Sequence, residues 1–257
     1  MLEDRVLEMK GFEKFQYAML EAATLIIKPL TEAKNKEAGQ ALWNHLFDPD
    51  GPRETSAKPT GRALYFGKVF KAFLEITHSL ETLEDIEFYV GRFPFQNTRI
   101  SRDRYLQFHI ETYFSELYLL QQRLNHYVVL VERQYRRDPQ LPEIINKCKN
   151  LPILAAKALE GPLRVRHSHV HEARVTDSGI DRLKSIGLLT KSKDSSLSKY
   201  MRIHYRLVHS DVKRKWKKAI VKNNADVLKV LDVFFERFFP VVFEERGALK
   251  YPSRLKF

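Results

Sequence analysis

The chain is short of the features that staple, anchor or visibly arm a protein. It has a single cysteine, Cys148, in 257 residues, so no internal disulfide can form. No run of 18 or more apolar residues occurs. The best candidate, Ala18 to Ile27, is too short to cross a bilayer and contains Glu21. With no paired thiols and no apolar signal-peptide core near Met1, the expected setting is the reducing cytoplasm, and no membrane partner is expected. No period of 20–50 residues repeats, and no strand-like alternation lasts long enough to build a sheet. A glycine-rich phosphate loop, a GxSxG elbow, an HExxH pair and a thiol with an adjacent base are all missing. The carboxylates are scattered, which leaves a glycosidase or two-metal nuclease without support. No cofactor is expected.

What is present is length, apolar residues at helical spacing, and positive charge. A chain of this size buries roughly 70–75% of its unfolded surface and needs no metal or disulfide to hold a core. Val69, Phe73, Ile76, Leu80, Leu83 and Val90 recur at steps of three, four or seven. Leu106, Ile110, Tyr113, Leu117, Leu120, Leu124, Val128 and Val131 do so for longer. These two series predict a pair of long antiparallel helices joined through 91–100, the second starting near Ser101 and stopping before Pro139. Leu2 to Ile27 reads as a helix ending before Pro29, and Leu46 to Gly61, with Pro49, Gly51, Pro52, Pro59 and Gly61, as the main flexible loop. Pro142 to Leu159 reads as a helix kinked at Pro152 and ended by Gly161-Pro162. Asp177 is placed to cap a short helix to Ile186, with Gly187 in a left-handed turn after it. Ser196 to Phe243 predicts one or two long helices, of which Val227 to Phe239 belongs in the core. The expected fold is all-α: an up-and-down bundle over 61–257 carrying a basic helical insertion around 175–222, preceded by a helix and loop over 1–60.

The net charge of +12 is concentrated. Between Arg182 and Lys222 thirteen Lys and Arg face two acidic residues, Asp194 and Asp211. That sign suits a phosphate-bearing partner, RNA above all, because neutralising phosphates releases counterions. Its bland counterpart is a solvated basic helix face. His204, Arg206 and His209 beside Lys213, Arg214, Lys215, Trp216, Lys217 and Lys218 are candidates to line an RNA groove, with Tyr205 and Trp216 either as stacking surfaces or as anchors to the core.

The densest cluster of reactive side chains is Arg164-Val165-Arg166-His167-Ser168-His169-Val170-His171-Glu172, just after Gly161-Pro162. On a helix His167 and His171 share a face, with Arg166 near them. An arginine that neutralises a phosphoryl group and a histidine that moves the proton of a 2′-hydroxyl or leaving oxygen are sufficient to cleave RNA without a metal. The alternation of His167, His169 and His171 before Glu172 is also compatible with a metal site if that segment is extended, although no strand or thiolate framework surrounds it.

Arg166, four intervening residues and His171, with the polar His167 directly after the arginine, resemble the signature of the HEPN helical domains of ribonucleases and toxins. The stretch His109 to Leu124 looks like an early helix of clostridial-type HEPN proteins, and the resemblance covers Gly61 to Phe243. It implies a metal-independent endoribonuclease that leaves a 2′,3′-cyclic phosphate, usually a homodimer, in a defence or toxin–antitoxin setting with an antitoxin or regulatory partner. Arg166 then stabilises the phosphate, His171 is the general acid or base, His167 orients RNA or Arg166, and Arg164 adds an RNA contact. Glu116 is the acidic residue expected to face the motif, with Glu111 second. Many HEPN-like domains are non-catalytic nucleotide-binding or assembly modules, which is the alternative reading.

Overall fold

The computed structural model describes residues 9–31, 37, 40–41, 44, 60–92, 99–171 and 177–255, without the side chains of 29–31 and 162–171. Its elements are α1 (Gly11–Thr31), α2 (Gly61–Gly91), α3 (Arg102–Gln134), α4 (Leu141–Cys148), α5 (Leu151–His171), α6 (Ser178–Leu189), α7 (Ser195–Val242) and a 3-10 turn (Ser253–Leu255). The only β-type pairing among the described residues is an isolated bridge between Phe243 and Leu249. The fold is all-α. No helix among the described residues is long and apolar enough to cross a membrane.

Both long apolar series form the helices their spacing demands. Val69, Ile76, Leu83 and Val90 on α2 and Ile110, Leu117, Leu124 and Val131 on α3 are all buried. Ser79 with Glu116, and Glu75 with Arg123, pair in opposite order along α2 and α3, so the two helices are antiparallel. Helix α7 is a single rod of 48 residues. Asp103–Tyr205 and Tyr113–Asn224 make it parallel to α3.

The chain divides into two compact units, residues 1–77, 121–157 and 228–257 in the first and 78–120 and 158–227 in the second. The division passes through helices, and residues 177–222 hold α6 and the first half of the longest helix.

The first unit is built on aromatics. Phe15 of α1 is fully buried, with its ring centroid 4.5 Å from Phe235, 5.1 Å from Phe243 and 5.4 Å from Phe73. The start of α1 is tied down by α7. The amide of Gly11 donates to Glu236 Oε2 at 2.7 Å and that of Phe12 to Asp232 Oδ1 at 3.1 Å, so carboxylates satisfy amides that an isolated helix leaves open. Gly11 has φ +59°, and a Cβ there would lie 2.6 Å from Asp232 Oδ1, so only glycine fits. Cys148 is buried, and burial pushes its thiol up to about 12, which keeps it unreactive.

Several expected boundaries lie elsewhere. Helix α1 runs through Pro29 to Thr31. The interruption expected at Pro152 falls at 149–150, which puts Pro152 in the first turn of α5, where a missing amide costs nothing. Gly161-Pro162 does not end α5, whose backbone stays helical to His171. Gly187 is not left-handed but lies inside α6, which ends at Leu189. Its hydrogen faces Tyr205, where a Cβ would meet the ring at 3.4 Å. The loop expected over 46–61 falls outside the described residues up to 59.

Candidate nucleic-acid interface and anion cavity

The second unit carries every candidate residue named from the sequence. Arg164, Arg166, His167, His171, Arg206, His209 and Lys213 to Lys218 fall in 158–227, and Glu116 falls in 78–120.

On α7 the cations are ordered by the helical repeat. Lys199, Arg202, Arg206, Lys213 and Lys217 follow at steps of three, four and seven and so share one face. The stripe extends about 27 Å at 1.5 Å per residue. All five are exposed except Lys213, which is half-buried, and none forms an ion pair with a described residue. Beside the stripe, Arg214 pairs with Asp211, and Lys215 Nζ lies 3.1 Å from Asp177 Oδ2. Arg214, Lys215 and Lys218 are exposed as well.

The aromatic and histidine candidates on α7 turn inward. Trp216 packs edge to face on Phe114, with ring centroids 6.0 Å apart, so it anchors α7 and is no platform for a base. Tyr205 uses its hydroxyl twice, donating to Asp103 Oδ1 at 2.7 Å and accepting from the Asp103 amide at 3.1 Å. Burial, then the Asp103 carboxylate, raise its pKa far above the usual phenol value. His209 is only 6% exposed, its ring nearly parallel to that of Tyr205 at 6.5 Å. Burial first, then the Arg102 and Lys213 cations, lower its pKa to about 4 against the opposing pull of Asp103. His209 is therefore not placed to line an RNA groove, and of the two roles open to Trp216 the structure shows the anchor: the positions of both on α7 face α3. His204 stays near the surface, with Nε2 3.3 Å from Arg182 Nη2.

Glu116 accepts from the buried Ser79 hydroxyl at 2.8 Å, and Glu111 from Gln107 at 2.7 Å. Arg166, His167 and His171 lie on the last two turns of α5. The open amides that add to a phosphate site are thus at the other end of α5, so side chains alone have to hold a phosphate there. The side chains of 164–171 lie outside the described set, as does Glu172, and with them the three-histidine arrangement. Among the described residues no three His, Cys, Asp or Glu come together as a metal site.

A feature that the sequence reading missed is a cavity of about 580 Å³ in the second unit. Its wall takes Arg102 and Arg104 from the start of α3, Lys184 from α6, Lys191 just after α6, and Tyr205 from α7. Four cations face one carboxylate, Asp103, which is already bound by Tyr205. Lys184 shares its charge with a neighbouring acid along its own helix, Asp181 at 3.4 Å. The signals available in the sequence were the Arg-Asp-Arg run at 102–104 and the two lysines, but the separation of 102 positions between Asp103 and Tyr205 concealed their meeting.

No family model, curated protein or solved structure matches this chain.

Proposed function

We propose that the protein binds single-stranded RNA along the exposed cation stripe of α7. The observation that carries this reading is that five cations share one face of an unbroken helix, none of them neutralised by a described carboxylate. An arrangement of that kind contacts a chain of phosphates without reading bases. Arg206→Glu, Lys213→Glu and Lys217→Glu together are expected to weaken binding at least 100-fold at physiological salt. For the wild type, the logarithm of affinity should fall against the logarithm of salt with a slope of about −3.5, from roughly 0.7 per phosphate on a single strand. Fluorescence anisotropy with a mixed-sequence RNA decides it. Salt-insensitive binding, or equal affinity of the triple variant, refutes the reading.

The second reading is metal-independent cleavage of the bound RNA by Arg166 and His171. It is favoured by the membership of the Arg-x4-His segment, Glu116 and the α7 stripe in one compact unit. In this scheme Arg166 neutralises the phosphoryl oxygens while His171 exchanges a proton with the 2′-hydroxyl or the leaving 5′-oxygen, giving a 2′,3′-cyclic phosphate. Wild type is expected to cut an RNA pool in excess chelator, and His171→Ala to bind it equally and leave it whole. Activity that survives in His171→Ala, or that requires added Zn or Mn, removes this mechanism. RNA binding without cleavage by the wild type leaves the first reading standing alone, as a helical RNA-binding module.

A further inference from the structure

We propose that the cavity between the start of α3, the end of α6 and Tyr205 is a receptor for a phosphate monoester. Two separated segments bring cations to one concavity, Arg102 and Arg104 from the start of α3 and Lys184 and Lys191 from the end of α6, and a third, α7, adds Tyr205 to the wall. Arg104 and Lys191 are exposed and form no ion pair with a described residue. Like charges are not gathered in a concavity for stability, since each raises the cost of the next. A dianion reverses that cost. A phosphate monoester, with three terminal oxygens in a tetrahedron, accepts donors arriving from several directions, whereas a carboxylate offers one plane.

The single acidic group in the wall does not oppose such a ligand. Asp103 is 8% exposed and holds the Tyr205 hydroxyl, so its charge is directed into the protein. His209, one turn beyond Tyr205, gives an independent sign of the local field: it is held neutral in part by Arg102 and Lys213, which outweigh Asp103. The cavity is larger than a phosphate alone and lies within the roughly 300–1,000 Å³ of small-ligand sites. Ile100, Leu188 and the Tyr205 ring give it apolar wall for an organic group attached to the phosphate. The phosphate monoester comes either from a free nucleotide or from the phosphorylated end of an RNA. The second source rests on the RNA reading of α7, the first does not.

Two pairs of probes test the site. One is 5′-AMP against adenosine, by calorimetry, and the other is a short RNA with a 5′-phosphate against the same RNA with a 5′-hydroxyl, by anisotropy. The phosphorylated member is expected to bind at least ten times more tightly in at least one pair, and Arg104→Gln with Lys191→Gln should erase that margin. Both positions are exposed, and an unchanged melting temperature certifies the fold. A margin in the AMP pair alone assigns a free nucleotide; one in the RNA pair assigns an RNA end. No margin in either pair, or a margin that the double variant keeps, overturns the proposal. Failure of the α7 reading registers separately, as loss of salt-dependent affinity for the 5′-hydroxyl RNA.

Discussion

Among the described residues, the unit comprising 1–77, 121–157 and 228–257 buries nine phenylalanines, whereas the unit comprising 78–120 and 158–227 buries one, Phe114. The polar interior is distributed the opposite way. Ser79, Asp103, Gln107, Ser198, His209 and Asn224 are buried in the second unit, and only Asp138 in the first. Asn224 shows how such groups are accommodated: it accepts from Tyr113 at 2.8 Å and donates to the Leu83 carbonyl at 3.3 Å and to Glu87 at 3.0 Å. Aromatic packing is non-directional and tolerant, while buried polar networks fix one arrangement at a cost in stability. Net charge does not separate the units, since each has the same excess of cations over carboxylates. What differs is its ordering, with Glu81, Glu84, Asp85 and Glu87 grouped on α2 and the cations on α7. The unit that carries the candidate function is the one whose interior is specified by polar contacts.

The contrast is open to direct attack. Phe15→Ala empties a fully buried ring site in the first unit and is expected to cost about 3–5 kcal/mol in thermal or denaturant unfolding. RNA affinity of the protein that remains folded should be unchanged. A cost below 1 kcal/mol would deny the aromatic cluster its role as the stabilising core.

A smaller effect is expected from His209. Above its ordinary pKa of 6.5 the imidazole is neutral in folded and unfolded chains alike, so it contributes no pH dependence. As pH falls from 6.5 the unfolded chain takes up a proton that the folded chain refuses until about 4. The folded state therefore loses stability across that window, by about 3 kcal/mol in total, and no more below it. His209→Gln should flatten this acid branch in melting curves taken through the window. An acid branch equal in variant and wild type would place the sensitivity elsewhere. Smallest of all is the effect on stability of reversals at the exposed Arg206 and Lys217 of α7: such positions change unfolding by no more than about 0.5 kcal/mol each, so the RNA defect of Arg206→Glu with Lys217→Glu should come with little shift in melting temperature.

Much of this was legible in the residues. The eight apolar positions of α3 from Leu106 to Val131 are all buried, because a repeat near 3.6 leaves a long helix one face to hide. Asp177 caps α6 as expected, accepting from the amides of Gly179 and Ile180. The inward side of Val227 to Phe239 was equally plain from its Leu, Val and Phe content. The boundaries set by Gly and Pro were not. Gly161-Pro162 and Pro29 are carried inside helices, and Gly187 lies within α6 beside Tyr205 and not in a turn, since local propensity yields where neighbouring packing compensates for it. The same limit applied to the site: composition made His209 a candidate for an RNA groove and left Trp216 open between groove and core, while the register of both on α7 faces α3.

By itself, then, the sequence determined that the chain is helical, which faces of α2 and α3 are apolar, that Asp177 opens a helix, and that cations concentrate between Arg182 and Lys222. Each of these depends on residues a few positions apart, the range over which helical spacing and capping act. Only the tertiary structure decided that Tyr205 closes on Asp103, that burial and the Arg102 cation hold His209 neutral, and that cations from 102–104 and 184–191 line one cavity. Those outcomes depend on which distant segments pack together, and that is settled by the joint burial of whole faces, a quantity no local pattern contains.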